Sequence, residues 1–168
     1  MEKLPPDVAA QNRSVYAEPP LVREFVPTSR VSGQVWRYTT SEPAPDWYSL
    51  DYDDESWEEG LGGFGTADTP SAVVRTTWDT ERIWLRRAFD LETLDLVNPH
   101  LRIHHDEDAE VYLNGQLIGT FSGYTVDYVL VPLEERVVGE LRLGSNTIAV
   151  SVRQTRGGQY VDVGLVEL

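Results

Sequence analysis

From about residue 33 to the C-terminus, apolar and polar positions alternate with a period of two. Leu101, Ile103 and His105 fall on one side of an extended segment. So do Ala109, Val111 and Leu113, then Ile148, Val150 and Val152, then Val161, Val163 and Leu165. Successive side chains of a strand point to opposite faces, so this alternation marks half-buried strands. It predicts strands near 33–39, 83–91, 100–105, 108–113, 116–121, 126–132, 140–143, 146–153 and 159–167. Turn residues separate these runs every ~8–12 positions, as in a sandwich or barrel. No stretch of ten residues holds a helical period, although Leu133–Val138 admits a single helical turn, and there is no internal repeat.

The sharpest local signal is Asn114-Gly115. It separates the run ending Val111-Tyr112-Leu113 from the run starting Gln116-Leu117-Ile118. A two-residue type I′ turn needs φ > 0 at both central positions, which Asn-Gly supplies at low cost. A β-hairpin is expected there.

Two regions depart from the alternation. Residues 1–30 read as a proline-rich lead-in punctuated by Pro5-Pro6, Pro19-Pro20 and Pro27, with Leu21–Val26 able to form a first strand. Such segments favour extended backbone and commonly join a domain to something upstream. The expected division is 1–30 as lead-in and 31–168 as the domain. Residues 41–60 hold eight acidic residues and no basic one, with Trp47 and Trp57 toward the two ends, before the flexible run Gly60–Thr66. Trp57, Phe64 and Trp78 must be buried somewhere, so this region is expected to be a structured loop.

Composition narrows the function classes. With 168 residues and 40% hydrophobic content, the chain can bury one domain core. Its 28 acidic against 14 basic residues give a net charge of −14. That balance opposes nucleic acid and anionic membranes, which are bound through clustered Lys and Arg. Lys3 is the only lysine, and the absence of cysteine rules out disulfides and thiol chemistry. No apolar run approaches the ~18–20 residues that span a bilayer, and residues 1–6 carry no signal-peptide pattern.

Several motifs occur in a set order. They are Asp46-Trp47; Asp53-Asp54-Glu55-Ser56-Trp57; Gly62-Gly63-Phe64-Gly65-Thr66; Thr77-Trp78; and Ile83-Trp84-Leu85-Arg86-Arg87-Ala88-Phe89. The acidic corner His105–Asp108, the Val111–Gly115 hairpin, Ser122-Gly123-Tyr124 and the closing strand Gly157–Leu165 follow. This order resembles the non-catalytic sugar-binding jelly roll of family 2 glycoside hydrolases, the galactose-binding-like superfamily, from about residue 33 to the end. The resemblance implies an all-β fold, a β-sandwich jelly roll of the galactose-binding domain-like type. It also implies a carbohydrate-binding or accessory module that works with the catalytic domain of a parent glycoside hydrolase, is secreted or periplasmic, and needs no cofactor. Fold alone does not give function. A purely structural domain that packs on a catalytic domain without binding sugar, and a small independent carbohydrate-active enzyme, are the other two readings.

Four groups of residues carry candidate chemistry. Asp51, Asp53 and Asp54 offer the hard oxygen ligands that Ca²⁺ takes, and several domains of the resembled superfamily hold a structural calcium. Alternatively, Asp53 or Asp54 caps a helical turn with Trp57 packed beneath it. In the second group, Asp106-Glu107-Asp108, adjacent carboxylates are poorly suited to flank a glycosidic bond at the ~5–10 Å separation hydrolysis needs. They are expected to pair with Arg86, Arg102 or Arg153. The third pair, His104 and His105, points to opposite faces of a strand and does not share a metal.

The last group is aromatic. Sugars stack their C–H faces on rings while polar side chains take the hydroxyls. Trp78 and Tyr124, with Asp79, Gln154, Arg156 and Gln159, are the expected saccharide contacts, on loops at one end of the sandwich. Trp47, Trp57 and Trp84 are expected to be core or loop plugs.

Overall fold

A computed structural model describes residues 21–168. The proline pairs Pro5-Pro6 and Pro19-Pro20 of the expected lead-in lie outside the described residues. Twelve strands run β1 (Arg23–Val26), β2 (Val35–Thr39), β3 (Glu58–Leu61), β4 (Phe64–Gly65), β5 (Thr76–Thr77) and β6 (Arg82–Leu91). There follow β7 (Pro99–Asp106), β8 (Asp108–Leu113), β9 (Gln116–Phe121) and β10 (Val129–Pro132), then β11 (Gly144–Arg153) and β12 (Tyr160–Glu167). A single turn of helix, α1 (Glu135–Val138), lies between β10 and β11.

The strands form two six-stranded sheets. One has the order β10-β7-β12-β4-β5, with β1 also paired to β12; the other has the order β3-β2-β6-β11-β8-β9. All pairings are antiparallel except β4 with β5. The fold is an all-β sandwich of two sheets, as the alternation predicted.

The alternation sorts side chains as expected. Leu101, Ile103, Val161, Val163 and Leu165 of one sheet meet Ile83, Leu85, Val111, Ile148 and Val150 of the other in a buried core. Residues on the opposite face of the second sheet build a separate aromatic cluster. Trp84 and Ala149 receive Trp47 and Trp57 from the acidic loop, with Tyr48, Tyr52 and Tyr112 around them. The three tryptophans are plugs, and the 41–57 loop is structured because those rings anchor it.

The hairpin forms at Asn114-Gly115, with φ of 48° and 83°. Asn114 does more than turn the chain. Its amide donates to the Glu140 carbonyl and to Asn146 Oδ1, both at 2.8 Å, and its oxygen accepts from the Thr147 N–H at 2.8 Å. The turn is thereby tied to the start of β11.

Three expectations need correcting. Residues 140–143 do not form a strand; Asn146 instead engages both the N–H and the carbonyl of Arg142, which bends the chain into β11. The 126–132 strand is confined to Val129–Pro132. Strands β3, β4 and β5 were not expected. The two-residue β4 exists because Phe64 and Gly65 pair with Val161 and Tyr160 of β12. Gly65 sits at φ 154°, where a Cβ would lie 2.1 Å from the Gln159 carbonyl. β1 lies against β12, and the Ser29 N–H donates to Asp162 at 2.7 Å, so residues 23–29 are built into the sandwich.

Candidate functional site

One end of the sandwich opens into a cavity of about 410 Å³. Four connections converge on it: the corner between β7 and β8, and the loops β4–β5, β9–β10 and β11–β12. They contribute Asp68, Asp106, Glu107, Tyr124, Arg156 and the Gly157-Gly158 pair.

The corner is held from several sides. A bridge pairs Asp106 with Tyr124, and the Thr125 N–H donates to the His105 carbonyl at 2.9 Å, fixing the tyrosine loop against β7. The Thr69 hydroxyl donates to Asp106 Oδ2 at 2.7 Å. The Thr155 hydroxyl donates to Glu107, and His105 Nδ1 donates to the Glu107 carbonyl at 2.8 Å. A Cβ on Gly158 would lie 2.6 Å from the Thr69 hydroxyl and 2.8 Å from Asp106 Oδ2. Only glycine lets this backbone approach the carboxylate so closely.

Asp106 is 5% exposed. Burial pushes its carboxyl above the usual range; the Thr69 hydrogen bond opposes that shift and the charge of Glu107 adds to it. Its Oδ1 accepts no hydrogen bond among the described residues. Tyr124, by contrast, is 64% exposed, so its ring is free to stack. An acceptor carboxylate, a guanidinium and an open ring around one cavity suit hydroxyl-rich ligands.

The expected saccharide residues separate in space. Tyr124 and Arg156 are brought together at the mouth. Trp78 is not available for stacking: it is 2% exposed in the core, and its indole N–H donates to Thr80 at 3.0 Å. Gln159 is buried and donates to the Thr80 carbonyl, and Gln154 donates to the Gly157 carbonyl, so both shape the loop from behind. Asp79 is exposed but does not line the cavity.

Asp68, Gly157 and Gly158 were not among the expected contacts. The Gly-Gly pair immediately before the last strand was the available signal, since it marks close backbone approach. Asp68 carried no local signal.

The expected arginine partners of the 106–108 cluster are engaged elsewhere. Arg86 pairs with Asp54 at 2.7 Å, Arg102 pairs with Glu24, and Arg153 lies 3.5 Å from Glu81. Hydroxyl groups, not cations, serve Asp106 and Glu107. His104 lies between the Tyr128 and Tyr160 rings while His105 packs against Phe121, so the two histidines do point apart.

The acidic loop holds its carboxylates differently. Asp54 accepts from buried Arg86, whose guanidinium also donates to the carbonyls of Trp47 at 2.6 Å and Ser49 at 2.9 Å. Asp53 accepts from the Glu55 N–H at 3.0 Å, a local turn cap, and Asp51 is exposed. Among the described residues no three His, Asp or Glu side chains converge to hold a metal ion. Asp53 and Asp54 thus already have partners within the chain.

No protein-family model and no curated protein matches the chain by sequence. Solved structures match it by fold. A β-glucuronidase from Bacteroides uniformis superposes with a TM-score of 0.60 at 21% identity, over 85% of this chain and 18% of that one. A β-glucuronidase from Ruminococcus gnavus, in complex with D-glucaro 1,5-lactone, gives 0.57 at 13% identity, over 88% and 29%. A β-glycosidase from Bacteroides vulgatus gives 0.54 at 17%, over 87% and 20%. The chain thus spans about a fifth to under a third of the enzymes it matches.

Proposed function

We propose that this chain is a non-catalytic carbohydrate-recognition module of a glycoside hydrolase, acting beside a separate catalytic domain in a secreted or periplasmic enzyme. The observation that carries this reading is the mouth itself: the exposed Tyr124 ring stands over one cavity with the Asp106 carboxylate and Arg156. In this reading the sugar's C–H face stacks on Tyr124, its hydroxyls donate to Asp106 and Glu107, and they accept from Arg156. The small share of each matched glycosidase that the chain covers supports an accessory rather than a catalytic role. Among the described residues no helix is long and apolar enough to cross a membrane.

A second reading has its own observation. Val31, Val35, Leu61 and Val73 are 90, 58, 42 and 37% exposed, and Val35 pairs with Leu61 at the edge of one sheet. Such apolar surface favours a domain that packs on a catalytic partner.

A glycan array probed with the 168-residue chain separates the two. The recognition reading expects binding in the ~10⁻⁶–10⁻³ M range, because a shallow mouth buries little of a ligand. It also expects Tyr124→Ala and Arg156→Ala each to weaken binding by about ten-fold or more without lowering the melting temperature. No binding by the wild-type chain leaves the structural reading.

A further inference from the structure

We propose, resting on the saccharide reading of the same mouth, that this site takes neutral sugars and excludes uronic acids, with the Asp106 carboxylate setting the choice. Three carboxylates, Asp68, Asp106 and Glu107, face one guanidinium, Arg156, around the cavity. The best-placed of them is Asp106. It is 5% exposed, lines the cavity, and receives one hydrogen bond to its carboxylate, from the Thr69 hydroxyl to Oδ2 at 2.7 Å. Its Oδ1 accepts no hydrogen bond from the described residues, and the residue lines the cavity.

A carboxylate in such a largely buried position gains from a donor and is penalised by another anion. A neutral sugar brings only hydroxyl groups, each able to donate. A uronic acid replaces one of them with a second carboxylate, which cannot donate and which repels three charges at short range. Arg156 does not reverse the balance: it is exposed and flanked by Gly157-Gly158, so its charge stays largely solvated. The net charge of −14 adds a long-range repulsion that salt screens.

The test compares matched pairs, methyl β-glucoside with methyl β-glucuronide and methyl β-galactoside with methyl β-galacturonide. Binding to the 168-residue chain is read by ligand-observed NMR at low and high salt. Each neutral member should bind about ten-fold more tightly than its uronate, with a smaller ratio at high salt. Asp106→Asn should reduce the ratio most, by several-fold. Asp68→Asn, at an exposed position, should reduce it by a smaller factor, and it keeps the test decisive if the Asp106 variant does not fold. Uronates that bind as tightly as the neutral sugars, or a ratio that neither variant changes, overturn the selectivity and leave the saccharide reading standing. If none of the four glycosides binds, or if Tyr124→Ala leaves their binding untouched, the saccharide reading fails and this inference with it.

Discussion

The loop at 46–57 and the corner at 106–107 are both acidic, both lie beside aromatic rings, and look alike as strings of residues. They differ in what reaches their carboxylates. Arg86, with a side chain 3% exposed, crosses from β6 to bind Asp54 and the loop carbonyls, and the ring of Tyr52 lies 5.3 Å from its guanidinium carbon. That loop is closed around its own cation. At the corner, among the described residues, the Asp106 and Glu107 carboxylates receive only the hydroxyls of Thr69 and Thr155, and a cavity remains beside them. Two acidic segments of similar sequence can therefore differ in whether the fold supplies their carboxylates with a cation.

The largest expected effect strikes the closed loop. Arg86→Met strands Asp54 and three carbonyl groups, so it should cost about 3 to 5 kcal/mol in urea unfolding. Thr69→Val at the open corner should cost only about 1 kcal/mol, because water in the mouth replaces the lost hydroxyl. Equal losses in the two variants would abolish the distinction between them.

A third carboxylate, Asp162, extends the comparison to pH. It accepts from the Ser29 N–H at 2.7 Å and the Tyr128 hydroxyl at 2.5 Å, but burial pushes its pKa up to about 6 from 3.8. Between those values the native state holds more protons than the unfolded state. Stability therefore falls as pH rises from about 4 to about 6, by up to about 3 kcal/mol from this group. Urea midpoints measured across that window should show the fall in the wild type and a flatter curve in Asp162→Asn. A parallel curve in the variant assigns the pH dependence to other groups.

Gly115→Val should lower stability by about 1 to 3 kcal/mol, since a β-branched residue resists the φ of 83° required at the turn. An unchanged melting temperature would show that the turn tolerates another geometry. The smallest expected effect is a null one. Chelator and added calcium should give superimposable unfolding curves, because Arg86 and a local turn already occupy Asp54 and Asp53. A calcium-dependent rise would place a metal in the loop after all.

The long strands, the Asn114-Gly115 turn and the sorting of Val161, Val163 and Leu165 inward were legible in the sequence. Each depends on backbone preference and alternation within a few residues of itself. The two-residue strand β4 was not, since Phe64 and Gly65 become a strand only beside β12, almost a hundred positions later. The candidate site divided along the same line. An exposed tyrosine after a Gly turn and an arginine before Gly-Gly are local features, and Tyr124 and Arg156 do meet at the mouth. Whether an aromatic ring is open or buried depends on what packs over it, so Trp78, chemically as fit for stacking as Tyr124, became core. Which cation answers which carboxylate was equally a tertiary matter. Arg86 reaches Asp54 across 32 positions and Thr69 reaches Asp106 across 37. Ion pairing depends on distance in space, and chain position constrains that distance only after the sheets have assembled. Alternation and composition already specify a two-faced β chain rich in acid. Only the packing of one sheet on the other decided which acids were used up and which were left facing an open cavity.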